Sequence, residues 1–379
     1  MRIAVYSSLW GLALLPCSSY ARPASTSGAD GRIKPNTSIP TPIILWHGLG
    51  DRYDAPGLLA LKAELQGHHQ LKGVYVHLIG VSEDGAADQR STFFGNANDQ
   101  IALVCEQLTQ IPELVDTQLN PSGKVEAIGF SQGGQLLRGL VERCSELKFR
   151  SLITLGSQHM GISSLPPCPP GSSPFSTCHL FHLSLLKNGL YSSWAQQNLL
   201  PAQYVRDEAR IEDYLKVNAF LKDVNNEREG DRQVGPPTDG EVIGVRGRDQ
   251  GEGRNQTYKR NFARLEKLVL LRFSLDTTVV PPHTAHFTLP SPTASPCPIP
   301  LDPTCYVDPV EWADLPLYQD DYIGLKELDA RGVVWKGICK GAHMEIDRRC
   351  WSTVTRVLVG NGEKEGDEDV RQNAFVLQG

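Results

Sequence analysis

The pentapeptide Gly129–Gly133 is the part of the sequence best suited to chemistry. Its order, G-F-S-Q-G, fits the G-x-S-x-G pattern in which a serine occupies a sharp turn between a strand and a helix. The apolar run Lys124–Phe130 before it predicts a strand, and Gln132–Cys144 after it predicts an amphipathic helix. This context favours Ser131 as a nucleophile over the alternative that the serine only caps the helix.

A serine hydroxyl is a weak nucleophile, so it needs a base, and the base needs a carboxylate to orient it. In α/β-hydrolase sites these partners follow the serine in the order Asp or Glu, then His. Asp276 follows the predicted strand Leu268–Phe273, and His343 follows the predicted strand Val333–Ile338. Because strand C-terminal ends carry the catalytic groups of open α/β sheets, the sequence predicts a triad of Ser131, Asp276 and His343.

Other titratable side chains compete for these roles. His159 follows a fourth strand but precedes Asp276 in the chain, which is the wrong order. His283 and His286 form an H-x-x-H pair that could be read as metal ligands, although no helix or carboxylate motif accompanies them. Three further carboxylates fall in loops without a preceding strand: Asp302, Asp320 and Asp321. The predicted chemistry needs no metal, and no cofactor is expected.

The tetrahedral intermediate of acyl transfer needs hydrogen-bond donors for its oxyanion. One donor in this type of site is the backbone N–H after the nucleophile, here Gln132. The other comes from the loop after an early strand, and the H-G-L-G-D segment at 47–51 predicts Leu49 as its source. The alternative is that the glycines of this segment serve only a turn.

The elements around these residues alternate between strands and helices. Strands are predicted at Pro42–Trp46, Val74–Val81 and Ser151–Leu155, and helices at Pro56–Gln66 and 92–111. This alternation predicts an α/β-hydrolase fold, with a mostly parallel sheet covered by helices. It stops at about residue 166, so a helical cap is predicted as an insertion at about 166–265 within a domain spanning 41–360.

The two ends of the chain differ in composition from this domain. Residues 1–21 combine Arg2, an apolar stretch and a small-x-small site, which predicts a cleaved secretory signal peptide. A membrane anchor is the alternative, but the stretch falls short of the roughly 20 apolar residues that a spanning helix needs. Residues 22–40 predict a disordered lead-in and 361–379 a disordered tail. No transmembrane segment is predicted.

Cysteine usage agrees with the secretory route. The chain has nine cysteines, and removing Cys17 with the signal leaves an even set, which predicts disulfides. A zinc site is disfavoured because no C-x-x-C occurs. Two sequons, at Asn36 and Asn255, predict N-glycosylation. The remaining cysteines are Cys105, Cys144, Cys168, Cys178, Cys297, Cys305, Cys339 and Cys350.

The overall charge excludes one class of partner. The formal net charge is -6 and no run of five or more Lys or Arg occurs, so nothing favours a nucleic-acid surface.

The motifs together resemble the lysosomal palmitoyl-protein thioesterases. The resemblance runs in patches from about Pro42 to Gly360. It rests on W-H-G-L-G-D at 46–51, F-S-Q-G-G-Q at 130–135, G-S-Q-H-M-G at 156–161, N-Q-T-Y-K at 255–259 and G-L-K-E at 324–327. It implies hydrolysis of long fatty acyl thioesters on protein cysteines, with S-acylated proteins or peptides and fatty acyl thioesters as substrates. It also implies a lysosomal, vacuolar or extracellular location.

Carried over by motif, the resemblance places the family's triad on Ser131, Asp276 and His343 and its oxyanion donors on Leu49 and Gln132. It further implies two disulfides, Cys105–Cys144 and Cys168–Cys178. Cys297, Cys305, Cys339 and Cys350 lie outside the family pattern, as do the segments 227–253 and 290–304.

Three further hypotheses remain open on the sequence. Cys339 and Cys350 flank His343 and are predicted to pair, which would leave Cys297 to pair with Cys305. A groove for the acyl tail is expected to draw its lining from the insertion, with Leu185, Leu190, Trp194 and Leu215 as candidates. The alternative functions are a secreted lipase or carboxylesterase acting on oxygen esters, and a non-catalytic lipid-binding protein.

Overall fold

Short apolar runs form a six-stranded parallel sheet in the computed structural model, which describes residues 39–168, 171–231, 233, 253–291 and 309–359. The strands are β1 Ile43–Trp46, β2 Val76–Ile79, β3 Val125–Phe130, β4 Phe149–Leu155, β5 Lys267–Phe273, β6 Leu289–Pro290, β7 Pro309–Val310 and β8 Val334–Cys339. The sheet order is β2-β1-β3-β4-β5-β8, and every neighbouring pair is parallel. A short antiparallel pair, β6 and β7, stands apart.

Helices connect the strands and cover the sheet. In chain order they are α1 Pro56–Gly67, α2 Gly85–Ser91, α3 Ala97–Thr109, α4 Pro112–Val115, α5 Gln132–Arg143, α6 Thr177–Asn188, α7 Ser193–Asn198, α8 Ile211–Val217, α9 Leu221–Val224, α10 Gln256–Ala263, α11 Pro316–Gln319, α12 Leu325–Ala330 and α13 Arg348–Val359.

Alternating side chains of the strands build a core on each face of the sheet. On β1, Ile44 packs into the cluster that also holds apolar side chains of α3 and α5. Ile43 and Leu45 point to the opposite face, where α1 and α13 pack. Since both faces are covered, these strands can be apolar throughout, and the predicted α/β class is confirmed.

The starts of two helices differ from the sequence prediction, because a side chain caps each of them. The helix predicted over 92–111 begins only at Ala97, because the Asn96 side chain accepts hydrogen bonds from the backbone N–H groups of Asn98 and Asp99. Helix α2 was not predicted. It begins after Asp84, whose carboxylate accepts from the N–H of Ala87.

Disulfides tie helices to neighbouring segments. Cys105 of α3 is bonded to Cys144, the residue after α5. Cys168 is bonded to Cys178 of α6. Cys339 at the end of β8 is bonded to Cys350 of α13. The two pairings implied by the resemblance and the predicted Cys339–Cys350 pairing are therefore all present.

Several predictions concern residues outside the described part of the chain. They include the signal peptide, most of the lead-in, the tail, Asn36, Asp302 and the proposed partners Cys297 and Cys305. Within the described residues, helices are all too short or too polar to cross a membrane.

Candidate active site

Ser131 occupies a strained turn between β3 and α5. Its φ of 51° and ψ of -121° lie in a region that residues with a Cβ rarely adopt. The turn raises the side chain above the C-terminal end of the sheet, while its backbone N–H donates to the carbonyl of Leu155 on β4. A serine held in this conformation matches the predicted nucleophile turn.

The glycines of the motif are required by close backbone approach. A Cβ on Gly129 would lie 2.2 Å from the Cα of Gly134, and a Cβ on Gly133 would lie 2.2 Å from the carbonyl oxygen of His47. Neither contact can be relieved by a side-chain rotation, because the obstructing atoms are backbone. The G-x-S-x-G spacing thus follows from strand β3, helix α5 and the loop after β1 meeting at one point.

His343 and Asp276 complete a chain of hydrogen bonds to the serine. Nε2 of His343 lies 2.9 Å from Oγ of Ser131, and its Nδ1 lies 2.7 Å from Oδ2 of Asp276. Asp276 follows β5 and His343 follows β8, so adjacent strands deliver the two groups. The structure therefore brings the three predicted triad residues together.

The carboxylate of Asp276 is fixed from its other side. Its Oδ1 accepts hydrogen bonds from the backbone N–H groups of Thr278 and Val279, each at 2.9 Å. The side chain is buried. With Oδ1 occupied by the backbone, Oδ2 faces the imidazole and favours the tautomer that carries its proton on Nδ1.

The two predicted oxyanion donors lie beside the nucleophile. Gln132 is the first residue of α5, where a backbone N–H has no partner within the helix. The loop that carries Leu49 is pressed against Ser131, since a Cβ on Gly48 would lie 3.0 Å from the Cβ of the serine. Among the described residues, neither the N–H of Leu49 nor that of Gln132 has a hydrogen-bond partner.

A buried pair, His47 and Asp88, anchors this loop and was missed at the sequence level. Nε2 of His47 donates to Oδ2 of Asp88 at 2.8 Å. The same carboxylate accepts from the backbone N–H groups of Tyr53 and Val81. Burial alone would raise the pKa of Asp88, but these hydrogen bonds outweigh it and lower the pKa, so the side chain stays a carboxylate.

The Gln132 side chain is anchored as well. Its Nε2 donates to the carbonyl of Thr92 at 3.1 Å and to the hydroxyl of Tyr204 at 3.0 Å. Tyr204 lies in the mainly helical chain between β4 and β5, so the residue after the nucleophile is hydrogen-bonded to that part of the chain.

A largely apolar cavity of about 620 Å³ opens at Ser131 and His343. This volume falls within the range of about 300–1,000 Å³ that small-molecule sites occupy. Its apolar walls come from the loop after β1, from α1, from the segment after α2 and from the chain between β4 and β5. They include Leu49, Leu58, Leu61, Phe93, Ile162, Leu165, Phe181 and Tyr204.

The predicted lining of this cavity is wrong in its details. Leu185, Leu190, Trp194 and Leu215 do not line it. Leu215 is buried in the core beside the sheet, and Trp194 is exposed to solvent. The chain between β4 and β5 contributes Phe181 and residues of the Leu200–Tyr204 turn instead. The face of a short helix that meets the cavity is set by packing and not by hydrophobicity alone.

The other candidate histidines pack within the fold. His159 is buried, its ring stacks on that of Phe287 with centroids 4.7 Å apart, and burial lowers its pKa well below the usual value. Burial also lowers the pKa of His283 to about 4 and that of His286 to about 3. Nε2 of His286 donates to the carbonyls of Leu270 and Gly337, which uses the proton-bearing nitrogen within the fold.

The rival carboxylates that the structure describes stand apart from the serine. Oδ2 of Asp321 pairs with Lys259 at 3.0 Å, and its Oδ1 accepts from the N–H of Lys326. Neither Asp320 nor Asp321 lines the cavity.

Comparison with known families matches residues 42–343 to the family described as palmitoyl protein thioesterase. The chain is 29% identical over 313 residues to "Palmitoyl-protein thioesterase 1" of Caenorhabditis elegans, covering 83% of this chain and 89% of that protein. It is 30% identical over 342 residues to "Palmitoyl-protein thioesterase-dolichyl pyrophosphate phosphatase fusion 1" of Schizosaccharomyces pombe, covering 89% of this chain and 47% of the fusion.

More distant similarities were also found. "Lysosomal thioesterase PPT2" of Rattus norvegicus is 25% identical over 335 residues, covering 86% of this chain and 87% of that protein. Among solved structures, esterase B from Lactobacillus rhamnosis is 13% identical, with a TM-score of 0.37 and coverage of 90% of this chain and 80% of that one.

Proposed function

The chain belongs to the palmitoyl protein thioesterase family, and on that premise we propose that Ser131, His343 and Asp276 are the residues with which it hydrolyses palmitoyl thioesters of protein cysteines. The observation that carries the assignment is the hydrogen-bonded chain of these three side chains at the mouth of an apolar cavity.

Acylation begins with a proton transfer. Nε2 of His343 accepts the hydroxyl proton of Ser131 as Oγ attacks the acyl carbonyl carbon. The imidazolium that forms is stabilised by the carboxylate of Asp276, whose Oδ2 accepts a hydrogen bond from its Nδ1–H. The carbonyl oxygen becomes an oxyanion, for which the N–H groups of Leu49 and Gln132 are the donors.

Collapse of the intermediate breaks the C–S bond. The cysteine thiolate leaves and takes the proton from Nε2 of His343, while the acyl group remains on Ser131 as an ester. A water molecule then gives a proton to Nε2 of His343 and attacks this ester. As the bond between the acyl carbon and Oγ breaks, His343 returns the proton to Ser131 and the fatty acid is released. Because a thiolate is a good leaving group, the first step depends less on the general acid than cleavage of an amide would.

The cavity supports a long acyl chain as the group transferred. Its apolar wall includes Phe181 and Tyr204, which lie between β4 and β5. We therefore extend the proposal to the insertion at about 166–265, which acts as a cap that holds the acyl tail over the sheet. Each methylene buried there contributes up to about 0.8 kcal/mol.

Location and modification follow from the same assignment. Relatives named lysosomal thioesterases, together with the disulfides, support a lysosomal or other secretory-pathway location. Asn255 is exposed at the start of α10, where a glycan can be attached without entering the core. N-glycosylation at Asn255 is part of the proposal.

The test is turnover of matched palmitoyl thioester and palmitoyl oxyester substrates, followed by a thioester series from acetyl to palmitoyl below the critical micelle concentrations. We expect the thioester to be preferred, and kcat/KM to rise by orders of magnitude with chain length. A preference for the oxyester would favour a lipase, and a flat or short-chain profile would contradict the palmitoyl assignment. Failure of a fluorophosphonate probe to label the protein would favour a non-catalytic lipid-binding protein.

A further inference from the structure

The outer face of helix α6 is apolar and exposed. Leu180, Leu183 and Leu186 recur at every third position and are 45%, 59% and 84% exposed. Phe175, just before the helix, is 85% exposed. Single exposed apolar residues are common on protein surfaces, but four large ones on one short segment form a hydrophobic patch of the kind that marks an interaction site.

The opposite face of the same helix belongs to the cavity. Cys178, Phe181 and His182 line the space that opens at Ser131. Because residues three and four apart share a helix face, Leu180 and Leu183 point away from these side chains, and Leu186, four residues after His182, lies at the edge of their face. One helix therefore separates the acyl cavity from the exposed leucines, so whatever covers the leucines lies next to the cavity.

The charge of this region identifies the partner as lipid. The sequence holds no Asp or Glu between Leu147 and Arg206, although the chain as a whole has 43 acidic residues and a net charge of -6. Lys187 stands on α6 beside Leu183 and Leu186. A leucine face with a lysine and without carboxylates suits the interface of an anionic phospholipid bilayer.

A second copy of the chain fits this face less well. Stable protein interfaces bury about 800 Å² on each partner, which four side chains on a single convex helix do not supply. A bilayer needs no complementary shape, and it is where the acyl chains of membrane-bound acylated proteins reside.

We propose that the outer face of α6, comprising Phe175, Leu180, Leu183 and Leu186 with Lys187, docks the enzyme on anionic phospholipid bilayers and so brings the cavity to the acyl chains of its substrates. The proposal rests on the proposed function, since it explains how a long acyl chain reaches Ser131 from a membrane.

The experiment is flotation of the full chain with vesicles of phosphatidylcholine, alone or with about 30% phosphatidylglycerol. Leu183→Ser/Leu186→Ser is compared with the matched variant Leu103→Ser/Leu119→Ser, which alters two exposed leucines elsewhere. We expect the α6 variant to bind the anionic vesicles about tenfold more weakly and the matched variant to bind like the wild type. Lys187→Gln should weaken binding about fivefold to the anionic vesicles only.

Two activities separate this proposal from the proposed function. A water-soluble short acyl thioester should be hydrolysed equally by all variants, while a palmitoylated peptide embedded in the anionic vesicles should be hydrolysed more slowly by the α6 variant. If the wild type does not hydrolyse the water-soluble acyl thioester, the proposed function itself is refuted. Equal vesicle binding by the wild type and the α6 variant, or a changed elution volume of the α6 variant without changed vesicle binding, would overturn membrane docking.

Discussion

At the scale of single residues, the order of Ser131, Asp276 and His343 along the chain was enough to predict a site that the fold then assembles. Ser131 directly follows β3, Asp276 and His343 lie in the loops after β5 and β8, and parallel strands end at one edge of the sheet. His159 also follows a strand but precedes Asp276 in the chain, whereas His283 and His286 lie well beyond the end of β5 and burial lowers their pKa values.

The proposed nucleophile gives the most direct prediction. Ser131→Ala should fold normally, because alanine fills less space than serine and the turn is held by backbone contacts. Its kcat should fall by roughly 10⁶, as in other serine hydrolases that lose this hydroxyl. Steady-state turnover with an unchanged circular-dichroism spectrum is the measurement, and a variant retaining a tenth of wild-type activity would exclude Ser131 as the nucleophile.

The His47–Asp88 pair could not be predicted, since nothing in the sequence links Asp88 to a loop forty residues earlier. Asp88→Asn should loosen the loop that carries Leu49, because the amide cannot accept all three hydrogen bonds that the carboxylate accepts. Loss of one oxyanion donor costs about 10²–10³ in kcat, so misplacing it should cost about tenfold or more.

The measurement for Asp88→Asn is the split between kcat and KM on a soluble short acyl thioester. A positioning role lowers kcat and leaves KM nearly unchanged, whereas general destabilisation lowers the amount of active enzyme. Active-site titration with a fluorophosphonate probe separates these cases, and an unchanged kcat per titrated site would disprove the positioning role.

At the scale of elements, the strands were predictable because a sheet covered on both faces needs continuous apolar runs. Strand β3, for example, is buried along its whole length. The helices were less predictable. Helix α2 has little hydrophobic periodicity, and its start is fixed by one hydrogen bond from Ala87 to Asp84. Leu185 was mispredicted as a lining residue because the face that α6 turns to the cavity depends on how the helix is rotated about its axis.

The disulfide between β8 and α13 allows a prediction about an element. Removing Cys339 and Cys350 together, as alanines, opens a loop with a sequence separation of 11 that contains His343. Loop-closure entropy gives a stability loss of about 3 kcal/mol, and kcat should fall as well because His343 gains freedom. The matched double variant replaces Cys105 and Cys144, whose sequence separation is 39, with alanines. It should lose about 4 kcal/mol of stability and keep an unaltered kcat.

Chemical denaturation and turnover of the two double variants test this contrast. A Cys339→Ala/Cys350→Ala enzyme with unchanged kcat would show that the disulfide stabilises the fold without restraining His343.

At the scale of the whole molecule, the sequence predicted the α/β class but not the buried polar network behind the nucleophile helix. Arg138 and Glu142 of α5 are both fully buried, and the Arg138 guanidinium donates to the amide oxygen of Asn225 in the segment after α9. Hydrophobic periodicity does not reveal such residues, because charged side chains are ordinarily expected at the surface.

This network and the core histidines together predict how stability depends on pH. Burial raises the pKa of Glu142 to about 8, with Arg138 opposing the rise only in part. Between the pKa of a glutamate in the unfolded chain and about pH 8, Glu142 is protonated in the folded state and ionised in the unfolded state. The free energy of unfolding therefore falls as the pH rises towards 8. Burial lowers the pKa of His286 to about 3. Below about pH 6.5 this histidine is therefore protonated in the unfolded state but neutral in the folded state, and the free energy of unfolding falls on acidification.

Because the free energy of unfolding falls on both the acidic and the alkaline side, it should be greatest at about pH 6–7. Glu142→Gln removes the titrating group with little change of shape. The wild type should lose about 2 kcal/mol between pH 6.5 and 8, and the variant should lose much less. Urea denaturation at several pH values is the measurement. Parallel curves for the two proteins on the alkaline side would mean that Glu142 stays ionised in the fold, held by Arg138 despite complete burial.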